Sequence, residues 1–446
     1  MDLANLIPQF GGFLYTVVSF VVALSIIVAV HEYGHYIIGR WSGIRADVFS
    51  IGFGPVLASR VDRHGTRWQI AALPFGGYVK FWGDANAASG ADGAAMSAMR
   101  PEDLRHTMHG APLWARTATV AAGPVFNFIL SIAVFSAVFL SQGQIRDPLT
   151  VGEVTPLPVQ QALQPGDVVN AIAGLQTPRF SDAEAWQSFT AEIPHSAPLT
   201  YDITRDGQNM QVQGPYLFPP HVSRVAPRSA AIAAGLKPGD VITAVDGAPI
   251  ASFDELKQRV ESSDGAALDL SVWRAGDMLD ITLEPRRVDE PNPDGGFTTQ
   301  WRIGIVGNMA FEPATGSIGV GEAIAGAGKQ VVMTIATSLS GLWHMITGQI
   351  STCNMSGPIG IAQTSSAMAS QGLDDFIWFV AVLSTAVGLL NLFPIPALDG
   401  GHLVFYAYEA VTGKPPKESV MRILMTVGIA LVLSLMVFAL SNDVLC

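Results

Sequence analysis

The chain has 446 residues, of which 49% are hydrophobic and 14% charged, and a formal net charge of -12. A charged share about half the roughly 25% of ordinary soluble domains excludes a disordered protein and argues against a fully soluble one, and the acidic balance with no basic run excludes a general nucleic-acid binder, which needs cations against phosphate. Two cysteines, Cys353 and Cys446, supply neither a disulfide scaffold nor the paired spacing of a zinc ribbon or redox site.

In chain order, the first uncharged stretch, Phe13 to Val30, is nearly long enough to cross about 30 Å of hydrocarbon at 1.5 Å per residue. The 12 residues before it carry Asp2 and no Lys or Arg, and no small-residue cleavage pattern follows. It therefore reads as a retained membrane span, not a signal peptide. Directly after it comes His31-Glu32-Tyr33-Gly34-His35. On a helix the two histidines share one face and can share a zinc ion, while Glu32 can activate water beside it. The alternative is a histidine pair hydrogen-bonded between helices, with Glu32 capping or pairing with Arg40. Three ionisable residues within five positions at the end of a span need compensation, and a metal supplies it.

Val48 to Phe81 alternates apolar and polar residues, is punctuated by Gly and Pro, and turns at Asp62-Arg63-His64-Gly65, which predicts a β-element. Ala85 to Met99, rich in Ala, Gly and Ser, reads as a flexible insertion. A second uncharged stretch runs from Thr117 to Leu140 and contains Gly123-Pro124 and Asn127.

The next region repeats itself. Gln164-Pro165-Gly166-Asp167-Val168-Val169 returns as Lys237-Pro238-Gly239-Asp240-Val241-Ile242, and Thr204-Arg205-Asp206-Gly207 returns as Trp273-Arg274-Ala275-Gly276. Two copies of one small module explain this. Each reads as a turn, a short strand, a helical stretch and a hairpin closed by Asp-Gly or Ala-Gly. Val331 to Ile350 carries no charge, but its apolar residues keep helical spacing opposite Thr, Ser and His. That predicts a helix lying on a membrane surface, not a fifth span.

The third uncharged stretch, Phe376 to Leu398, ends in Asn391-Leu392-Phe393-Pro394-Ile395-Pro396-Ala397-Leu398-Asp399-Gly400-Gly401-His402. Two prolines there break the helix and free carbonyls, tolerable at membrane depth only inside protein or a wet cavity. Two histidines leave a zinc site one protein ligand short, and Asp399 or His402 can supply it. The fourth stretch is Ile423 to Asn442.

Arg40, Arg45, Arg60, Arg63, Arg67, Lys80, Arg100, Arg105 and Arg116 fall between the first two spans, and Lys414, Lys417 and Arg422 between the last two. Both connections are therefore expected in the cytoplasm, with the termini and the long repeat region outside. With four spans, the first and third run in the same direction and bring His31 and Asp399 to the same face. A fifth would separate them.

Together these motifs resemble the bacterial site-2 protease family, zinc intramembrane metalloproteases, in its RseP type with two PDZ domains. Gly52-Phe53-Gly54-Pro55, Pro74-Phe75-Gly76-Gly77-Tyr78, Gly123-Pro124-Val125-Phe126-Asn127 and Gly357-Pro358-Ile359-Gly360 carry the resemblance further, over essentially the whole chain. It implies one Zn2+ on His31, His35 and Asp399, Glu32 as general base toward water at the metal, and substrate contacts from Asn391, Pro394, Gly52, Phe53, Gly54 and Asn127. The fold it implies is a multi-pass α-helical membrane protein of four spans with a membrane-associated β-element and two α+β PDZ-like domains. Its divisions are a first span with the histidine motif at 1–40, the β-element and loop at 41–112, the second span at 113–141, PDZ-like domains at 145–218 and 219–290, a linker and interfacial helix at 291–375, the third span with the Leu-Asp-Gly motif at 376–402, and the fourth span at 420–442. The activity it implies is cleavage of single-pass proteins in the lipid bilayer of the bacterial inner membrane, typically anti-sigma factors after a first outer cut, and signal-peptide remnants. The repeats then bind peptide ends or strands, or act as size filters. Two other classes stand beside this: a non-catalytic PDZ scaffold, which has no need of a base at Glu32, and a transporter with broken helices, which the soluble modules and only four spans disfavour.

Overall fold

A computed structural model describes residues 6–85, 93–180, 182–196, 198–292 and 296–445. It divides into two compact units, Met1–Ala137 with Ile324–Leu342 and Met355–Cys446, and Val138–Ala323 with Trp343–Asn354.

Four helices among the described residues are long and apolar enough to cross a membrane: Gly12–Trp41, Leu113–Gln142, Leu373–Asn391 and Glu418–Leu445. The helix of the first span, Leu6–Trp41, continues without interruption through the histidine motif, so His31, Glu32 and His35 sit on regular helix. Small residues let the spans approach closely, as helix contacts in lipid require. A Cβ at Gly34 would meet the Ala122 carbonyl at 2.6 Å, and one at Gly388 would meet the Pro124 carbonyl at 3.1 Å.

The β-element is more elaborate than a hairpin. Strands Ala46–Val61 and Arg67–Phe81 form one sheet in which the first half of one is paired on both sides: Ser50 and Ile51 face Tyr78 and Gly77 in antiparallel register and Gln69 and Ile70 in parallel register. The far half pairs Ala58 with Ile70 and Val61 with Arg67. The lateral order is thus 56–61, 67–71, 46–51, 77–81. The fold back occurs at Gly52, where φ is +91° and a Cβ would crowd the carbonyls of Ala71 and Leu73 at 2.8 and 2.9 Å, so only glycine fits. Among the described strands, 77–81 is paired on one side only.

The third span is shorter than the sequence pattern predicts. Its helix stops at Asn391, the prolines at 394 and 396 hold a non-helical passage of turns such as Leu398 N–H to the Ile395 carbonyl (2.8 Å), and a new helix, Asp399–Thr412, begins on the Leu-Asp-Gly motif. The hydrophobic run conceals this end because apolar residues continue through the passage. The charge-free segment after Val331 belongs to a longer helix, Val320–Ile346, that is not among the four candidate spans. Of the insertion expected at Ala85 to Met99, residues 86–92 lie outside the described residues, and Gly93–Ser97 is a short helix.

The second unit contains two four-stranded sheets of the same plan. In one, Leu175–Gln176, Val168–Ile172, Leu199–Arg205 and Gln208–Gly214 lie in that order; in the other, Ala248–Pro249, Val241–Val245, Leu268–Arg274 and Asp277–Leu283. Their hairpins turn at Asp206-Gly207 and Ala275-Gly276, with φ of 50° and 78° and of 50° and 107°, the positive pair that a two-residue turn matched to strand twist needs. The helix of the second sheet starts on a capping box, Ser252 with Glu255. In both copies the Asp of Pro-Gly-Asp is buried and held by the repeated Arg: Asp167 by Arg205 Nε (2.7 Å), Asp240 by Arg274 Nε (2.6 Å).

One boundary differs from the expected one. Residues 297–316 are not a linker but close both modules. The Gly304 carbonyl accepts Ala226 N–H and the Leu217 carbonyl accepts Ala310 N–H, both at 2.8 Å, while Ile303 enters the second apolar core and Phe311 the first. The closing strands Ile305–Val306 and Phe311–Pro313 are two and three residues long, too short for alternation to register. Cys353 is disulfide-bonded; Cys446 lies outside the described residues.

Candidate metal centre

His31, His35 and Asp399 converge although the carboxylate comes from a helix far along the chain. His31 Nε2 lies 3.2 Å and His35 Nε2 3.5 Å from Asp399 Oδ2, and the two Nε2 atoms are 3.1 Å apart. These are the donor atoms of the metal group found among the described residues. Tetrahedral zinc with ligands at about 2.0–2.1 Å needs ligand atoms about 3.3 Å apart, close to all three spacings. Asp399 Oδ2 is buried without a hydrogen-bond donor, an acceptor left for a cation. Asp399 also opens its helix, where a carboxylate is favoured by the exposed N–H groups.

The imidazoles are turned toward that point from behind. His35 Nδ1 donates to the Thr119 carbonyl at 2.8 Å, which leaves Nε2 as a lone-pair donor to metal. His31 Nδ1 lies 3.2 Å from the Asn127 side-chain amide, whose Oδ1 is otherwise buried and unpartnered. Turned end for end, the amide presents that oxygen to His31 Nδ1–H and frees its Nε2 for the metal as well. Both supports come from the second span, which comes so close that a Cβ on Gly123 would collide with His35 Nε2 and meet His31 Cε1 at 2.8 Å.

Glu32 sits in the same cavity of about 280 Å³, with Gly77, Tyr78, Val79 and Asn391 among its neighbours on the wall. The Val79 backbone N–H bonds to its carboxylate. A Cβ on Gly77 would press on Glu32 Cγ at 3.1 Å and on the Ser50 carbonyl at 2.8 Å. The single-sided strand 77–81 thus runs directly past the candidate base.

Of the residues that the resemblance assigns to substrate, Asn391 lines this cavity and Pro394 does not. Asn127 lies against His31. Gly52, Phe53 and Gly54 form the fold-back of the sheet, where Phe53 stacks on Tyr78 with ring centroids 5.9 Å apart, so they reach the cavity wall through Tyr78. His402, the alternative third ligand, lines the cavity outside the ligand group. Thr119, Asp84 and His109 carry no motif, and sequence reasoning did not find them.

Residues 19–435 match Peptidase family M50. The chain belongs to this family. A zinc metalloprotease by name from Rhizobium meliloti is 36% identical over 436 residues, covering 96% of each chain, and another from Agrobacterium fabrum is 35% identical over 447 residues, covering 99% of this chain and 98% of the relative. The regulator of sigma-E protease RseP of Salmonella typhimurium is 32% identical over 459 residues, covering 96% of this chain and 98% of its own. The protein is therefore a zinc metalloprotease with four helices suited to a membrane, and the non-catalytic scaffold gives way.

Proposed function

We propose that this peptidase hydrolyses peptide bonds within or near the spans of single-pass membrane proteins, at a site near the cytoplasmic face of the bacterial inner membrane. The observation that carries this reading is the location of the histidine pair and Glu32 on a helix long enough to cross the bilayer, beside a strand with a free edge. A substrate helix hides its carbonyls in its own hydrogen bonds and must unwind before cleavage. Strand 77–81 offers the unwound segment a replacement partner by strand addition. Asn391 then holds the substrate backbone, and Gly52, Phe53, Gly54 and Pro394 shape its approach.

His31, His35 and Asp399 would hold Zn2+, which supplies Lewis acidity toward water and the scissile carbonyl. Glu32 takes the proton of the attacking water and passes it to the departing amine nitrogen as the C–N bond breaks. Thr119 and Asn127 keep both imidazoles in the tautomer that serves the metal. The duplicated sheets act as PDZ-like domains on the periplasmic side, with both chain termini, and either capture a peptide end or exclude substrates with bulky outer domains. The peptidase's substrates are of the anti-sigma type after a first outer cut, in keeping with a relative that is a regulator of sigma-E protease, and signal-peptide remnants are a second class.

The test uses purified protein in detergent, with zinc content and cleavage of a single-pass substrate measured for wild type and Glu32→Gln. Zinc near one per chain in both with cleavage by wild type alone supports the reading. Equal cleavage by both removes Glu32 as base, and cleavage confined to soluble peptides removes the membrane substrate.

A further inference from the structure

A second imidazole on a buried carboxylate lines the catalytic cavity, outside the metal set. His109 Nε2 lies 3.2 Å from Asp84 Oδ1. The Asp84 side chain is fully buried, with an exposure of 0%. Its other oxygen accepts Phe81 N–H at 2.9 Å, and Oδ1 is a buried acceptor without a hydrogen-bond donor, facing the His109 ring. A buried carboxylate is expensive without partners, so this one is committed to a single ring.

The turn that carries His109 is anchored. Met108 N–H donates to the Trp82 carbonyl, Arg45 N–H to the His106 carbonyl, and His106 Nδ1 bonds the Gly43 carbonyl at 2.7 Å. Met108 and Ala111, on either side, are 5% and 4% exposed and belong to one apolar cluster with Tyr36, Val79 and Phe81. His109 is therefore placed in the cavity by packed neighbours, together with Glu32, Asn391 and Asp399.

The carboxylate 3.2 Å from Nε2 favours the neutral tautomer with its proton on that nitrogen, which leaves Nδ1 its lone pair. An unwound substrate brings N–H groups that have lost their helical acceptors. We propose that His109, oriented by Asp84, is a substrate-binding residue whose Nδ1 accepts a backbone N–H of the unwound segment. The proposal rests on the membrane-substrate reading above. It adds a fixed side-chain acceptor to the backbone edge at 77–81, and it assigns the connection between the first two spans a direct part in substrate recognition.

The experiment compares wild type, His109→Ala and His109→Gln at full length in detergent, on a single-pass substrate and on versions with one backbone amide replaced by an ester around the cleavage point. Loss of one hydrogen bond predicts a fall of about tenfold in kcat/KM for His109→Ala, carried mainly by KM, with zinc content unchanged and partial recovery in His109→Gln. One ester position should cost wild type as much and cost His109→Ala nothing further. Unchanged kcat/KM in His109→Ala, equal ester losses in both proteins, or loss of zinc in step with activity overturns the proposal. Absence of cleavage by wild type overturns the underlying reading as well, which separates the two failures.

Discussion

Asp167 and Asp240, in the unit of duplicated sheets, are buried, and each is saturated: a guanidinium lies at 2.6–2.7 Å and a backbone N–H, from Gln164 or Lys237, at 2.8 Å. Asp399 in the membrane unit is also largely buried, yet its Oδ2 has no donor and two imidazole nitrogens aimed at it. Burial alone does not separate a structural carboxylate from a functional one; the state of its last lone pair does. In the sheets both oxygens of Asp167 and of Asp240 are satisfied within the module, so the charge fixes a turn. In the membrane unit two of the acceptors left over, on Asn127 and Asp399, lie against the histidine pair.

The largest test of that difference is Glu32→Gln, expected to lower cleavage by about 10²–10⁴-fold while metal analysis still finds zinc. Next, Asn127→Ala, which removes the support behind His31, should weaken zinc binding by about 10–100-fold in a chelator competition. Gly123→Ala should do at least as much damage, because its methyl enters the space of His35. In the other unit the same kind of change should be felt as stability alone. Arg274→Ala leaves Asp240 buried without its partner and should lower the melting midpoint of that unit by a few degrees, with zinc content and kcat unchanged.

The smallest effect is a pH dependence. Burial pushes the Asp167 carboxyl up, but hydrogen bonds from Arg205 and Gln164 outweigh it and hold the carboxyl below its usual range. A carboxyl with a lowered folded pKa contributes stability above its unfolded value of about 3.9, and that contribution is lost as pH falls from there through the folded value. Hydrogen exchange at Val168–Ile172 should therefore speed up as pH drops below about 4, after correction for the intrinsic rate. Unchanged protection there would break the assignment of Asp167 as a structural charge.

The candidate site was legible in part because metal chemistry leaves a dense local pattern, two histidines one helical turn apart, while the choice of Asp399 over His402 came from the family resemblance. The duplication was legible in Pro-Gly-Asp and in the hairpin turns, where backbone geometry restricts the residues allowed. Less visible were features that depend on pairing across distance. The closing strands around Ile305 and Phe311 are too short to alternate, and the doubled register at Ser50 and Ile51 appears only once Gly52 has turned the strand. Asp84 and His109 lie in turns with ordinary composition, and their meeting is set by how Met108 and Phe81 pack. The end of the third span was hidden because hydropathy does not register a missing N–H at Pro394 or Pro396.

The metal centre joins the first helix to one begun only at Asp399, and this has a consequence for how the protein is made. At about 5–20 residues per second of synthesis, His31 and His35 enter the bilayer roughly 20–70 s before their third ligand exists. During that interval a nascent chain holds Glu32 and two imidazoles but not the third member of the candidate metal group. With the proposed ligand set, the peptidase stays inert until nearly the whole polypeptide has been synthesised, and a chain truncated before Asp399 is expected to show no proteolysis.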